Sequence, residues 1–288
     1  MTLLIKVNLA LFAAFGAGLA VTGYLTNVVL QENAKREVFS HASLMMEAAL
    51  AARSYTSTEV KPLLAARLEN EFLPQSVPSY AATQSFARLH EMYKDYSYKE
   101  ATLNPTNPRD RVVEWEADVV RNLRDRPELK EMVGERATPS GQSLFLARPI
   151  QITDGQCLAC HSTPAAAPAA MRALYGDANG FGWKMGEIVG SQIVSVPLDV
   201  AVAQAGRTLR LIMGGMLATF VVVLLLVNLA LYLLVLRPMR TITRIADAVS
   251  AGQPAGPFNV RGNDEIAMLG NAFNRMRRSL EKAMALLG

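Results

Sequence analysis

Two long stretches without a charged side chain limit what this chain can become. The first runs Val7–Leu30 (VNLALFAAFGAGLAVTGYLTNVVL) and the second Leu211–Leu236 (LIMGGMLATFVVVLLLVNLALYLLVL). About 20 apolar residues, rising ~1.5 Å each, cross a hydrocarbon core ~30 Å thick. Each stretch is long enough to span. A cleaved signal peptide is the alternative for the first, but its apolar run is long for that role and no A-x-A site closes it. An uncleaved anchor is expected. Asn8 and Asn27, near the ends of the first span, are read as interfacial. Asn228, deeper in the second, is read as contact between helices rather than a transport site.

The spans divide the chain into a short N-terminus (1–6), a helix (7–30), a middle region (31–207), a second helix (211–236) and a C-terminal region (237–288). Residues 31–210 carry 20 basic and 21 acidic side chains, whereas 237–288 carry 8 and 4, and Lys6 adds one more positive charge. The basic excess flanks the membrane. By the positive-inside tendency, both termini are expected in the cytoplasm and 31–210 in the periplasm of a bacterium, with the chain in the inner membrane. No Lys/Arg cluster interleaves with a recognition motif, so no nucleic-acid partner is expected.

In the middle region the pattern predicts helix from Glu32 to about Phe72, punctuated by Pro74, Pro78 and Ser79, then helix over Tyr80–Tyr93. Tyr96–Arg111 (YSYKEATLNPTNPRDR) is rich in turn signals, with two Asn-Pro pairs. Helix is predicted again for Val112–Arg124, and strands for Ser143–Ile150 and Gln192–Pro197. A Gly- and aromatic-rich loop, Tyr175–Trp183 (YGDANGFGW), lies between the strands. Long helices with a few strands point to an α+β domain with a small antiparallel sheet.

The chain's two cysteines both fall in Cys157-Leu-Ala-Cys160-His161. C-x-x-C-H is the attachment signature of a c-type haem. Two thiols at this spacing can add to the two vinyl groups of one porphyrin, and the adjacent imidazole then ligates the iron. The other readings are a redox dithiol pair and a zinc site, which would need a fourth ligand. One covalent haem c is expected, held by Cys157, Cys160 and His161. For the sixth ligand, His41 and Met45 share a helix face with Ala48, Ala52 and Tyr55, and Met46 points about 100° away beside Ala49 and Arg53. A packing stripe is the alternative reading of that face, and a vacant or water-bound sixth position would favour gas binding. His90 is the third histidine. Arg53, Lys99, Arg109 and Arg148 are candidates for pairing with the haem propionates.

After the second span, Arg237-Pro238-Met239-Arg240 opens a helix with Ile242, Ile245, Ala246 and Val249 at heptad-like spacing. Pro238 is read as the tolerated proline of a helix start. A connector, Gly252–Gly262, leads to a helix beginning at Asn263-Asp264-Glu265, with Ile266, Leu269, Phe273, Met276 and Leu280 forming an a/d seam. This arrangement resembles the HAMP family, which implies a homodimeric, all-α, parallel four-helix bundle.

The middle region resembles the c-type-haem-binding, PAS-like sensor domains once catalogued as a domain of unknown function. The resemblance covers about 40–200. It is carried by ARSYT (Ala52–Thr56), VPSYAA (Val77–Ala82), YKEATLNPTNPRDR (Tyr98–Arg111), LARPI (Leu146–Ile150), CLACHS (Cys157–Ser162) and NGFGW (Asn179–Trp183). It implies a PAS-like sheet flanked by helices, with haem against it and His161 as one axial ligand. Some relatives use a cysteine as the other ligand. This chain has no third cysteine, so that ligand does not carry over.

The expected function is a membrane-bound haem-c sensor that passes a redox or diatomic-gas state through the HAMP module. The rival is a membrane-anchored cytochrome relaying electrons, which would not need HAMP. Peroxidase-like catalysis is not expected, because no acid–base pair can be named. No kinase, cyclase or methyl-accepting pattern follows the seam, so output is expected on a separate cytoplasmic protein or on sequence beyond Gly288.

Overall fold

The computed structural model describes residues 2–68, 70–253, 255–259 and 262–287, with side chains described as far as residue 283. Within the expected connector, Pro254, Val260 and Arg261 lie outside the described residues, as do Met1 and Gly288 at the ends.

The chain begins with a 53-residue helix, α1 (Leu3–Tyr55). A π-type turn (Thr56–Val60) and two short helices, α2 (Lys61–Leu63) and α3 (Ala65–Leu68), continue it. Then come α4 (Pro78–Met92), β1 (Ser97–Thr102), α5 (Glu114–Asp125), β2 (Met132–Thr138) and β3 (Gly141–Gln151). The excursion from β3 to the next strand carries α6 (Gly155–His161) and α7 (Ala169–Tyr175), before β4 (Ile188–Pro197). The rest is helical: α8 (Asp199–Ala230), a second π-type turn (Leu231–Leu236), α9 (Arg237–Ser250) and α10 (Glu265–Leu287). Two of these helical runs are long and apolar enough to cross a membrane.

Contacts divide the chain into two compact units, 26–208 and the two ends, 1–25 with 209–288. The first is built on an antiparallel sheet of order β1-β4-β3-β2. In a strand, successive side chains face opposite ways, and β3 uses both faces. Leu144 and Leu146 join Val194 and Val196 of β4 in a core against Met46 and Ala49 of α1 and Phe86 of α4. Phe145 and Ala147 join Ile193 in a second core under Val119 and Leu123 of α5. Central β4 is therefore buried on both sides, which accounts for its apolar run IVGSQIVSVP.

Two strands were not legible. Ser97–Thr102 reads as turn because of the Asn-Pro pairs behind it and because Lys99 and Glu100 are poor strand formers. It is an edge strand, with all six of its residues paired to β4. Met132–Thr138 carries no apolar alternation, yet pairs with β3 across a tight hairpin.

In the second unit, the two apolar helices run antiparallel. Asn8 and Asn228 exchange reciprocal amide hydrogen bonds of 2.9 and 2.8 Å. Phe15 stacks on Phe220 at 3.9 Å, and a Cβ on Gly23 would meet Met213 Sδ at 3.2 Å. The Asn8 amide is thus satisfied by Asn228. Pro238 is not at a helix start, since helix runs through it. Its ring crowds the carbonyl four residues back, and the widened turn Leu231–Leu236, closed by Arg237 N–H on Tyr232 O, immediately precedes it. In the C-terminal hairpin, Asp264 caps α10 by accepting from Ala267 N–H at 2.8 Å. Asn274 holds the connector through both the N–H and C=O of Phe258.

Candidate functional site

The Cys/His motif lies on the excursion between β3 and β4. The base of this excursion is pinned by Ile152 N–H to Glu187 O (2.9 Å) and Gly186 N–H to Ile152 O (2.8 Å). Asp154 caps α6, accepting from Gln156 N–H at 2.8 Å. In a helix, residues three and four apart share a face. Cys157, Cys160 and His161 therefore present one side of one short helix, and all three line a cleft of about 470 Å³. Both cysteines are free and half-buried, and burial pushes the Cys160 thiol up from its ordinary pKa. Among the described residues, no three His, Cys, Asp or Glu side chains converge to hold a metal ion by themselves.

His161 is the most constrained member. Its Nδ1 lies 2.7 Å from the Gly180 carbonyl. A carbonyl only accepts, so Nδ1 carries the proton and Nε2 keeps its lone pair. The ring stacks on Trp183 with centroids 4.0 Å apart. Burial pushes its pKa down, and the Gly180 carbonyl opposes this in part. The loop holding it is itself held. Asn104 Oδ1 accepts from Gly180 N–H at 3.3 Å and Asn104 Nδ2 donates to Phe181 O at 3.4 Å. Thr106 Oγ1 comes within 3.4 Å of His161 Nδ1. Gly180 has φ +84°, and a Cβ there would lie 2.8 Å from the Thr106 Cα. The Asn-Pro segment and the NGFGW loop thus form one clamp on the imidazole. Sequence patterns marked both segments but could not show that they meet.

The cleft's other walls are charged. Arg53 Nη1 donates to both carboxylate oxygens of Glu100, 2.6 Å to Oε1. Tyr98 O–H donates to the same oxygen at 2.7 Å, and Gln192 Nε2 donates to Tyr98 at 3.1 Å. Burial acts against the Arg53 charge, but Glu100 more than offsets it, so its pKa is raised. Burial and the adjacent Glu100 also raise Tyr98. Arg109 lies over the Tyr80 ring at 5.2 Å and donates to Asp110 at 3.2 Å. Burial raises the Asp110 carboxyl above its ordinary range, with Glu100 adding to the shift.

Of the four arginine and lysine candidates, Arg53 and Arg109 line the cleft. Lys99 instead bonds Glu116 at 2.6 Å, and Arg148 bonds Glu47 at 2.7 Å. The structure does not bring His41, Met45 or Met46 to the cleft. Met46 is fully buried in the first core, Met45 packs against that core, and His41 is exposed. The reason is distance along one helix: α1 meets the cleft at Arg53, twelve residues or ~18 Å beyond His41. His90 is exposed, with Nδ1 2.8 Å from Tyr96 O. Sequence reasoning passed over Met171, which is 3% exposed and lines the cleft.

A family model described as Tll0287-like matches residues 31–197, and a HAMP domain model matches 230–282. Among solved structures, one described as "Crystal structure of the cyanobacterial heme-protein Tll0287" is similar at 14% identity. It covers 56% of this chain and 95% of its own, with a TM-score of 0.43. No curated protein matches.

Proposed function

Because this chain belongs to the Tll0287-like family, with a HAMP domain behind the family region, we propose that it is a membrane-anchored haem-c sensor. In this reading Cys157 and Cys160 attach one haem covalently and His161 Nε2 ligates its iron. The single observation that carries the reading is the His161 clamp. An iron-binding histidine commonly gives its other ring N–H to a carbonyl, which sets the tautomer and orientation. Here the Gly180 carbonyl does so, 2.7 Å away, and both thiols lie on the same helix face. The donor set fits the group: two thiols for two vinyls, one imidazole lone pair for iron, and Arg53 and Arg109 for carboxylates. Bound haem would supply a one-electron couple or a gas-binding iron.

Residues 7–30 and 211–236 span the inner membrane in this proposal, 31–207 form the periplasmic sensor, and 237–288 form the cytoplasmic HAMP module. The sheet, with its first strand paired to its last, supports a PAS-like description. Leu269, Met276 and Leu280 are exposed along α10 while Phe273 is buried. The open seam is suited to a second copy, giving the four-helix homodimer. A redox or gas-ligand change at the haem shifts the packing around the cleft. The shift reaches the membrane through α1, whose Arg53 lines the cleft, and through β4 into α8. The output lies on a separate cytoplasmic signalling protein or on sequence beyond Gly288.

Expression with the haem-c maturation machinery tests this directly. Denatured wild-type chain should show haem-derived peroxidase staining on a gel, and the Cys157→Ser, Cys160→Ser double variant should not. An unstained wild-type band would overturn the proposal. Deleting 237–288 should abolish any downstream response while leaving the haem spectrum intact. A response that survives the deletion would instead favour the electron-relay reading.

A further inference from the structure

We infer that Met171 is the second axial ligand of the iron, its Sδ lone pair binding opposite Nε2 of His161. This rests on the haem reading above and names a ligand that the Cys/His motif does not. In the seven-residue helix α7, Met171 alone is buried, Tyr175 four residues on is half-buried, and Ala169, Ala170, Ala173 and Leu174 are exposed. The inward edge of α7 is thus Met171 and Tyr175, and both line the cleft. Met171 belongs to neither apolar core, unlike Met46, and lies with buried Ile152 and Val189 in the cleft lining. Its thioether is buried against the cleft that holds both thiols and the imidazole.

The alternatives in the cleft are poorer ligands. His41 and His90, the other histidines, do not line it. Tyr175 would bind as phenolate, and burial pushes its pKa up, away from that form. Its ring also packs edge-on against Phe72. Tyr80 sits under the Arg109 guanidinium. Lys61 reaches Gln156 at 3.3 Å and would have to shed a proton to bind. A thioether needs no deprotonation and is a usual partner of histidine on haem iron, where it raises the potential.

The test compares full-length holo-protein in detergent with Met171→Leu, Met171→His and, as a control, Met185→Leu, whose methionine is exposed. The wild-type ferric form should be low-spin, with the weak far-red sulfur-to-iron charge-transfer absorption and the matching near-infrared magnetic circular dichroism. Met171→Leu should lose that absorption, become high-spin and bind added imidazole more tightly. Haem staining of the denatured band should be unchanged. Met171→His should restore the low-spin form at a lower midpoint potential, and the Met185 variant should match wild type. A high-spin wild type, or a sulfur band that persists in Met171→Leu, overturns the assignment. Absence of haem staining in every variant would instead count against covalent attachment.

Discussion

At Gly180 the backbone stands at φ +84° with the Thr106 backbone close by. Alanine there adds left-handed strain and a contact that side-chain rotation cannot relieve. Gly180→Ala is expected to cost about 1–3 kcal/mol in denaturant unfolding and to perturb the haem spectrum, because the displaced carbonyl is the one bonded to His161. The Arg53–Glu100 pair gives a second, signed prediction. Arg53→Gln removes a cation beside the cleft and should lower the midpoint potential, whereas Glu100→Gln removes an anion and should raise it. A purely structural pair would not produce opposite signs. Breaking a buried pair from one side also costs about 3–5 kcal/mol, so Arg53→Gln should be less stable than wild type on urea titration. Asp110 contributes a pH effect. Its folded carboxyl is raised by burial and Glu100, with Arg109 and Lys99 opposing. The stability tied to its proton is complete below the ordinary aspartate range and is lost as pH rises through the raised value. Asp110→Asn should flatten that part of a stability–pH curve.

Among the elements, the two π-type turns share a context. Thr56–Val60 ends two residues before Pro62, and Leu231–Leu236 ends two residues before Pro238. Each proline removes a donor and crowds the carbonyl four back, so a widened turn relieves both problems without ending the helix. The extra residue rotates the downstream helical face by about 100°. Pro238→Ala should let the turn close to α, and a cysteine cross-linking scan of α9 should then shift by one position. Sheet pairing makes a further prediction: a Cβ at Gly190 would lie 2.5 Å from the Ala101 carbonyl. Gly190→Ala should loosen β1 and reduce amide protection over Ser97–Thr102 in hydrogen exchange. These elements also show what the sequence could carry. Helix periods and the apolar run of β4 were readable because each reports its own burial. β1 was not, because its partner β4 lies distant along the chain, as in Lys99↔Ile193, and β2 was not, because it carries no apolar alternation although its partner β3 is adjacent. The cleft was half readable. Cys157, Cys160 and His161 are local in sequence, whereas Gly180, Asn104, Thr106 and Met171 join them only through the tertiary fold.

For the whole molecule, the proposed transmission across a bilayer would run through two apolar helices that pair antiparallel. Asn8 with Asn228 supplies a polar tie in that pairing. Such interhelical bonds contribute about 0.6 kcal/mol on average and up to about 1.7 kcal/mol. A double-mutant cycle of Asn8→Val and Asn228→Val should therefore give a coupling in that range, read from thermal unfolding in detergent. The central claim is nevertheless chemical: one haem joined to Cys157 and Cys160 with His161 beneath its iron. The most direct measurement is the intact mass of the denatured, full-length chain after co-expression with the maturation machinery. The expected value is the polypeptide mass plus one haem, with loss of that addition in the Cys157→Ser, Cys160→Ser double variant. A wild-type chain at the bare polypeptide mass, or the same addition retained without either thiol, would contradict it.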